Sequence, residues 1–104
     1  MSDNLECPEL EGQVTVARKL AEPVRYRVLL HNDDYTTMHF VVQVLCSVFH
    51  KTTEAATAIM LNVHKNGVGE CGVYTQEIAE AKVDRVKSLS RAAGFPLKCT
   101  MEKV

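Results

Sequence analysis

Between Val24 and Leu30 apolar and polar positions alternate. Val24, Tyr26, Val28 and Leu30 face one way, Arg25 and Arg27 the other. A period of two predicts a half-buried strand. The run stops at Asn32-Asp33-Asp34, three short side chains with oxygen acceptors. From Met38 the period changes. Phe40, Val41, Val44, Leu45, Val48 and Phe49 recur at helical spacing and predict a well-buried helix, with Thr36 or Thr37 able to cap it. Lys51-Thr52-Thr53 is a break, and Thr53 can cap a second helix. Its apolar stripe is Ala56, Ile59, Met60 and Val63, and Gly67 is its stop.

Val68 to Tyr74 predicts a second strand, loosened by Gly69 and Gly72. Thr75 can cap a third helix with Glu77 and Glu80 near its positive end and Lys87 and Arg91 near its negative end. Ile78, Val86, Leu89 and Ala93 give that helix an apolar face, and Gly94 ends it. Leu97 to Lys103 alternates again, with Leu97, Cys99 and Met101 inward. The predicted order is β-α-α-β-α-β. An α+β fold follows: one small domain over residues 24–104, with a three-stranded antiparallel sheet and three helices. Residues 1–23 read differently. Asp3, Glu6, Glu9, Glu11 and Glu22 outnumber Arg18 and Lys19, there is no aromatic residue, and Val14, Val16 and Leu20 are too sparse to anchor a core. We expect a flexible acidic N-terminal arm there.

Length and charge narrow the functional classes. The 104 residues fit one domain with a modest core. A net charge of −1 lacks the basic footprint of a nucleic-acid binder. No apolar run approaches the roughly 20 residues needed to cross a bilayer. The first residues, Met1-Ser2-Asp3-Asn4-Leu5-Glu6, have no positive flank or apolar stretch of a signal peptide, so the expected location is the cytoplasm. Cys7, Cys46, Cys71 and Cys99 stand far apart without a C-x-x-C pair, which fits small apolar fillers rather than a zinc site.

Three stretches have the side chains for chemistry. Asn32-Asp33-Asp34 at a strand-to-helix corner is either a self-bonded turn or a trap for a cation or an amine. His64 shares a helix face with Met60, four residues earlier, and is either structural or a ligand contact. A cysteine hydrolase would take Cys46 or Cys71 as nucleophile and His64 as base. Cys46, however, lies in a very apolar helix that disfavours a thiolate, and neither a Gly-x-Ser-x-Gly elbow nor a phosphate-cradling loop is present. A metal site from His31, His39, His64 and Asp33 lacks the usual ligand spacing. No catalytic residue, metal or cofactor is expected.

Tyr26-Arg27-Val28-Leu29-Leu30-His31-Asn32-Asp33-Asp34-Tyr35-Thr36, followed by Met38 and Phe40-Val41, resembles the opening of the ClpS adaptor family. The likeness continues through Ala58-Ile59-Met60-Leu61-Asn62-Val63-His64, then Cys71-Gly72-Val73-Tyr74-Thr75, then Pro96-Leu97-Lys98-Cys99-Thr100-Met101-Glu102. Four blocks in the same order span about residues 24–104. The acidic arm is similar to the flexible extension of that family.

The resemblance implies an adaptor, not an enzyme. Such a protein binds the free N-terminal residue of N-degron substrates, here Leu, Phe, Tyr or Trp, and delivers them to the ClpA unfoldase of the ClpAP protease. It also implies roles for particular residues. Asn32, Asp33 and His64 would accept hydrogen bonds from the substrate's α-ammonium group, whose desolvation needs matching acceptors. Leu30, Thr36, Met38, Val41, Met60, Val63 and Leu97 would form the hydrophobic pocket for its side chain, with the methionines adapting to rings and to Leu. Tyr74, Glu77 and Lys82 match positions that contact the N-terminal domain of ClpA. The alternative is a peptide-docking module that uses the same pocket for another partner. The chain departs from the family pattern at Thr37, where Pro is common, at His39, where an acidic residue is common, and at His31, where the family is usually apolar.

Overall fold

A computed structural model describes residues 23–104, so the expected arm lies outside the described residues up to position 22. The elements are β1 (Arg25–His31), α1 (Met38–Ser47), α2 (Thr53–Asn66), β2 (Val68–Thr75), α3 (Gln76–Ala93) and β3 (Lys98–Lys103). This is the β-α-α-β-α-β order expected from the two periodicities. The sheet runs β2-β1-β3 with both pairings antiparallel, so β1 is the middle strand.

The inward face of the sheet carries Val28 and Leu30, both fully buried, and Cys71. Val44, Leu45, Ala56 and Val86 from the helices complete the core. The alternation starts one step later than the sequence suggests, because Val24 precedes β1 and is 48% exposed. On the other face Arg27 joins the strands. Its Nε donates to Glu70 of β2 and its Nη1 to Glu102 of β3, each at 3.0 Å. Glu102 lies directly across from Arg27 and Glu70 diagonally; both pairs favour this register, although solvent screens these exposed bridges. The β1–β2 register slips between Val28 and Leu29: Val28 pairs with Gly72 and Leu29 with Glu70. Cys71 is the extra residue, and the bulge leaves it buried against the core.

The helix starts decide between two candidate caps and correct a third. Thr37 caps α1, accepting from the Phe40 amide at 3.1 Å, while Thr36 is engaged elsewhere. Thr52 rather than Thr53 caps α2, accepting from the Ala55 amide at 3.1 Å. A cap residue must be extended, and Thr53 already belongs to the helix. Thr75 takes the cap position of α3 without a side-chain bond. The buried face of α3 is also turned from the expected one. Ile78 is 49% exposed and Ala93 is exposed, whereas Ala79, Val86 and Ser90 are buried. Small Ala79 and Ser90 let the helix lie close on the sheet, and a large Ile in that row would not fit. No helix among the described residues is long and apolar enough to cross a membrane.

Candidate binding site

The loop between β1 and α1 is built by Asp33. Its Oδ1 accepts from the amides of Tyr35 and Thr36 at 2.8 and 2.7 Å, and its Oδ2 accepts from the Thr36 hydroxyl at 2.8 Å. The Asn-Asp-Asp corner is therefore a self-bonded turn, one of the two readings open from sequence. Burial pushes the Asp33 carboxyl up, but the bonds from Thr36 and Tyr35 together outweigh it. The group is held below the ordinary carboxylate value and stays anionic.

That turn forms one wall of a cavity of about 250 Å³. Asn32, Asp33, Asp34 and Thr36 line it from the loop, Met38 and Val41 from α1, and Met60, Val63 and His64 from α2. Val41, Met60 and Val63 are buried apolar side chains. Asn32, Asp34 and His64 are exposed, and Met38, the first residue of α1, is 46% exposed. The cavity thus has an apolar interior and a mouth with acceptor atoms and one fixed negative charge. Gly69 of β2 makes the close packing of α2 possible: a Cβ there would come within 2.6 Å of Val63 Cγ2.

The expected residues separate into three groups. Asn32, Asp33, His64, Thr36, Met38, Val41, Met60 and Val63 are brought together around the cavity. Leu30 and Leu97 are not in its lining; they are 0% and 7% exposed and belong to the core. Tyr74, Glu77 and Lys82 stand apart, at the end of β2 and on the first turns of α3. Lys82 Nζ donates to the Val48 carbonyl at 2.7 Å and lies over the rings of Phe49 and Tyr74, while Glu77 is exposed. Burial pushes the Tyr74 phenol up. Asp34 lines the cavity as well, although the family resemblance gives it no role. Its carboxylate accepts no hydrogen bond among the described residues. Its place in a run of three acceptors was the available signal. His31, one of the departures, bonds through a ring nitrogen to the Thr100 hydroxyl at 2.7 Å.

Other chemistry finds less support. Burial pushes the Cys71 thiol far above its usual value and the Cys99 thiol up to about 12, so both stay neutral and are poor nucleophiles. Among the described residues no three of His, Cys, Asp or Glu are grouped to hold a metal ion. A larger, shallower hollow of about 610 Å³ lies between α1, the start of α2 and Leu89 of α3, but no carboxylate lines it.

A sequence model of "ATP-dependent Clp protease adaptor protein ClpS" matches residues 21–100. The chain belongs to the ClpS family. It is 54% identical over 104 residues to the ATP-dependent Clp protease adapter protein ClpS of Oleidesulfovibrio alaskensis, covering 100% of both chains. It is 61% identical over 88 residues to the ClpS of Desulforapulum autotrophicum, covering 85% of each. Its fold is similar to that of Agrobacterium tumefaciens ClpS2 bound to L-phenylalaninamide, with a TM-score of 0.77 and 38% identity. That match covers 79% of this chain and 99% of the other. ClpS proteins are adaptors of the Clp protease, and the four sequence blocks that suggested the family lie on β1 through the start of α1, on α2, on β2, and on β3 with the two residues before it.

Proposed function

We propose that this adaptor binds the free N-terminal residue of N-degron substrates in the cavity between the Asn32–Thr37 loop and α2. The observation that carries this reading is the cavity's division into an apolar interior and an acceptor-rich mouth. An N-terminal residue has the same two parts, a side chain and an α-ammonium group with three donors. Asn32 and His64 accept through an amide oxygen and a neutral ring nitrogen. Asp33 already holds its loop through both oxygens, so it contributes mainly its charge, and Asp34 adds a second carboxylate. The volume is below the roughly 300–1,000 Å³ of pockets that enclose drug-sized molecules, which suits a single Leu, Phe, Tyr or Trp side chain. Burying that side chain contributes about 1.5–3 kcal/mol. The ligand held by the Agrobacterium relative, L-phenylalaninamide, has both parts and supports the reading.

Delivery uses a second surface. Tyr74, Glu77 and Lys82 form the face that docks on the N-terminal domain of the ClpA unfoldase of ClpAP, and the cytoplasm is where the protein works. The test of the binding site is a fluorescence titration with a Phe-initiated peptide and its Nα-acetylated twin. Acetylation removes the charge and two donors, leaving acceptors unmatched at about 1–3 kcal/mol each. The free peptide should bind at least about tenfold more tightly, roughly 1.4 kcal/mol. Equal affinities would exclude the amine site, and preference for an internal motif would indicate a plain docking groove.

A further inference from the structure

We propose that Gly67 is a positioning residue for the amine site, setting the spacing between Asn32 and His64. The inference rests on the amine-binding reading above. Asn32 and His64 come from opposite walls, the loop after β1 and the last turn of α2. One hydrogen bond among the described residues joins that loop to α2 and its cap: the Asn32 amide donates to the Gly67 carbonyl at 2.9 Å. Gly67 is itself fastened to the helix, its amide donating to the Val63 carbonyl at 2.8 Å. The relay therefore runs from Val63 in the cavity wall, through Gly67, to the backbone that presents the Asn32 side chain. It continues the sheet ladder by one step beyond its last pair, His31 with Val68.

The direction of the Gly67 carbonyl depends on a left-handed backbone, φ 90° and ψ −22°. Glycine adopts this freely and other residues resist it, Asn least among them. A Cβ at Gly67 would meet nothing within 4 Å. Alanine there acts through the backbone alone: relaxing toward negative φ swings the carbonyl away from Asn32 and loosens the loop wall, with no packing change to confuse the result.

The experiment compares the full chain with Gly67→Ala and Gly67→Asn. Each is titrated with a Phe-initiated peptide and with the des-amino twin that begins with 3-phenylpropionyl. The readout is the ratio of the two affinities, which a general loss of stability does not move. Gly67→Ala should lower that ratio at least fivefold while shifting the des-amino affinity less than twofold, and Gly67→Asn should restore the ratio to within twofold of wild type. An unchanged ratio in Gly67→Ala overturns the inference. A wild type with no preference for the amine overturns the binding reading and the inference with it. If Gly67→Ala does not fold, amide hydrogen exchange on the wild type decides. The Asn32 amide should exchange more slowly with the amine peptide than with its twin, and equal protection overturns the proposal.

Discussion

The ammonium of Lys82 on α3 ties down the chain just beyond α1, donating to the backbone carbonyl of Val48 at 2.7 Å. The faces of Phe49 and Tyr74 lie 5.7 and 5.2 Å from the same nitrogen. Val48 and Phe49 are buried past the helix end, so one cation satisfies an orphan carbonyl and bridges α1 to the β2–α3 corner.

Lys82→Met keeps the aliphatic stem and removes the donor. It should destabilise the domain by about 1–2 kcal/mol, lowering Tm by on the order of 5–15 °C for a domain of this size. Thermal unfolding followed by circular dichroism measures this. Exposed Glu77→Gln should stay within about 0.5 kcal/mol of wild type, yet weaken binding to the unfoldase N-terminal domain. If Lys82→Met leaves Tm untouched, the staple does not hold the domain together.

Met38 is half-exposed at the cavity mouth. On the proposed binding mode, the second Cβ substituent of an N-terminal Ile or Val would meet its thioether. Met38→Ala should admit peptides beginning with Ile or Val, raising their affinity at least about tenfold, roughly 1.4 kcal/mol. Phe-initiated peptides should change much less. Competition titrations with peptides beginning with Ile, Val and Phe decide it, and an unchanged preference removes Met38 from the selectivity filter.

The Asp33 turn has a definite pH dependence. Its carboxyl is held below the ordinary value, so the unfolded chain binds the proton more readily than the folded one. The stabilisation is fully present above the ordinary aspartate pKa of about 3.9 and is lost as pH falls through the lower folded value. The Tyr35 and Thr36 amide resonances should therefore hold steady from neutrality down to about pH 4 and move only below it. Movement of both already near pH 5 would mean that the turn does not hold its carboxylate as described. Asp33→Asn should remove the acid transition and loosen the loop at every pH.

Most of the architecture is legible in the pattern of the chain, because two periodicities alternate with few ambiguous residues between them. Gly67 and Gly94 end their helices in the left-handed conformation that their type suggests. What sequence misplaces is phase and partnership. Ile78 looks like a core residue of α3, yet contact with the sheet selects Ala79 and Ser90, whose small size matters only once the neighbour is present. Thr36 and Thr37 are equivalent caps on paper, and only the Asp33 turn, which takes Thr36, separates them. The family resemblance, and not the pattern, places Leu30 and Leu97 in the pocket, because burial is visible in a pattern, but not whether a buried side chain faces a core or a cavity. The pairing of a loop with a helix end through Gly67 is a tertiary contact that no local signal announces.

The central place of β1 has a consequence for the order in which the protein is made. Arg27 finds its partners 43 and 75 residues later in the chain. Of the three described strands, the one that leads into the Asn32 corner is made first and is the last to have both sides covered. Its second ladder waits until Lys98–Lys103 has been made. A sheet closed by its third strand depends on long-range contacts, and such topologies fold more slowly than those built from local ones. The nascent sheet therefore cannot be completed until β3 has left the ribosome.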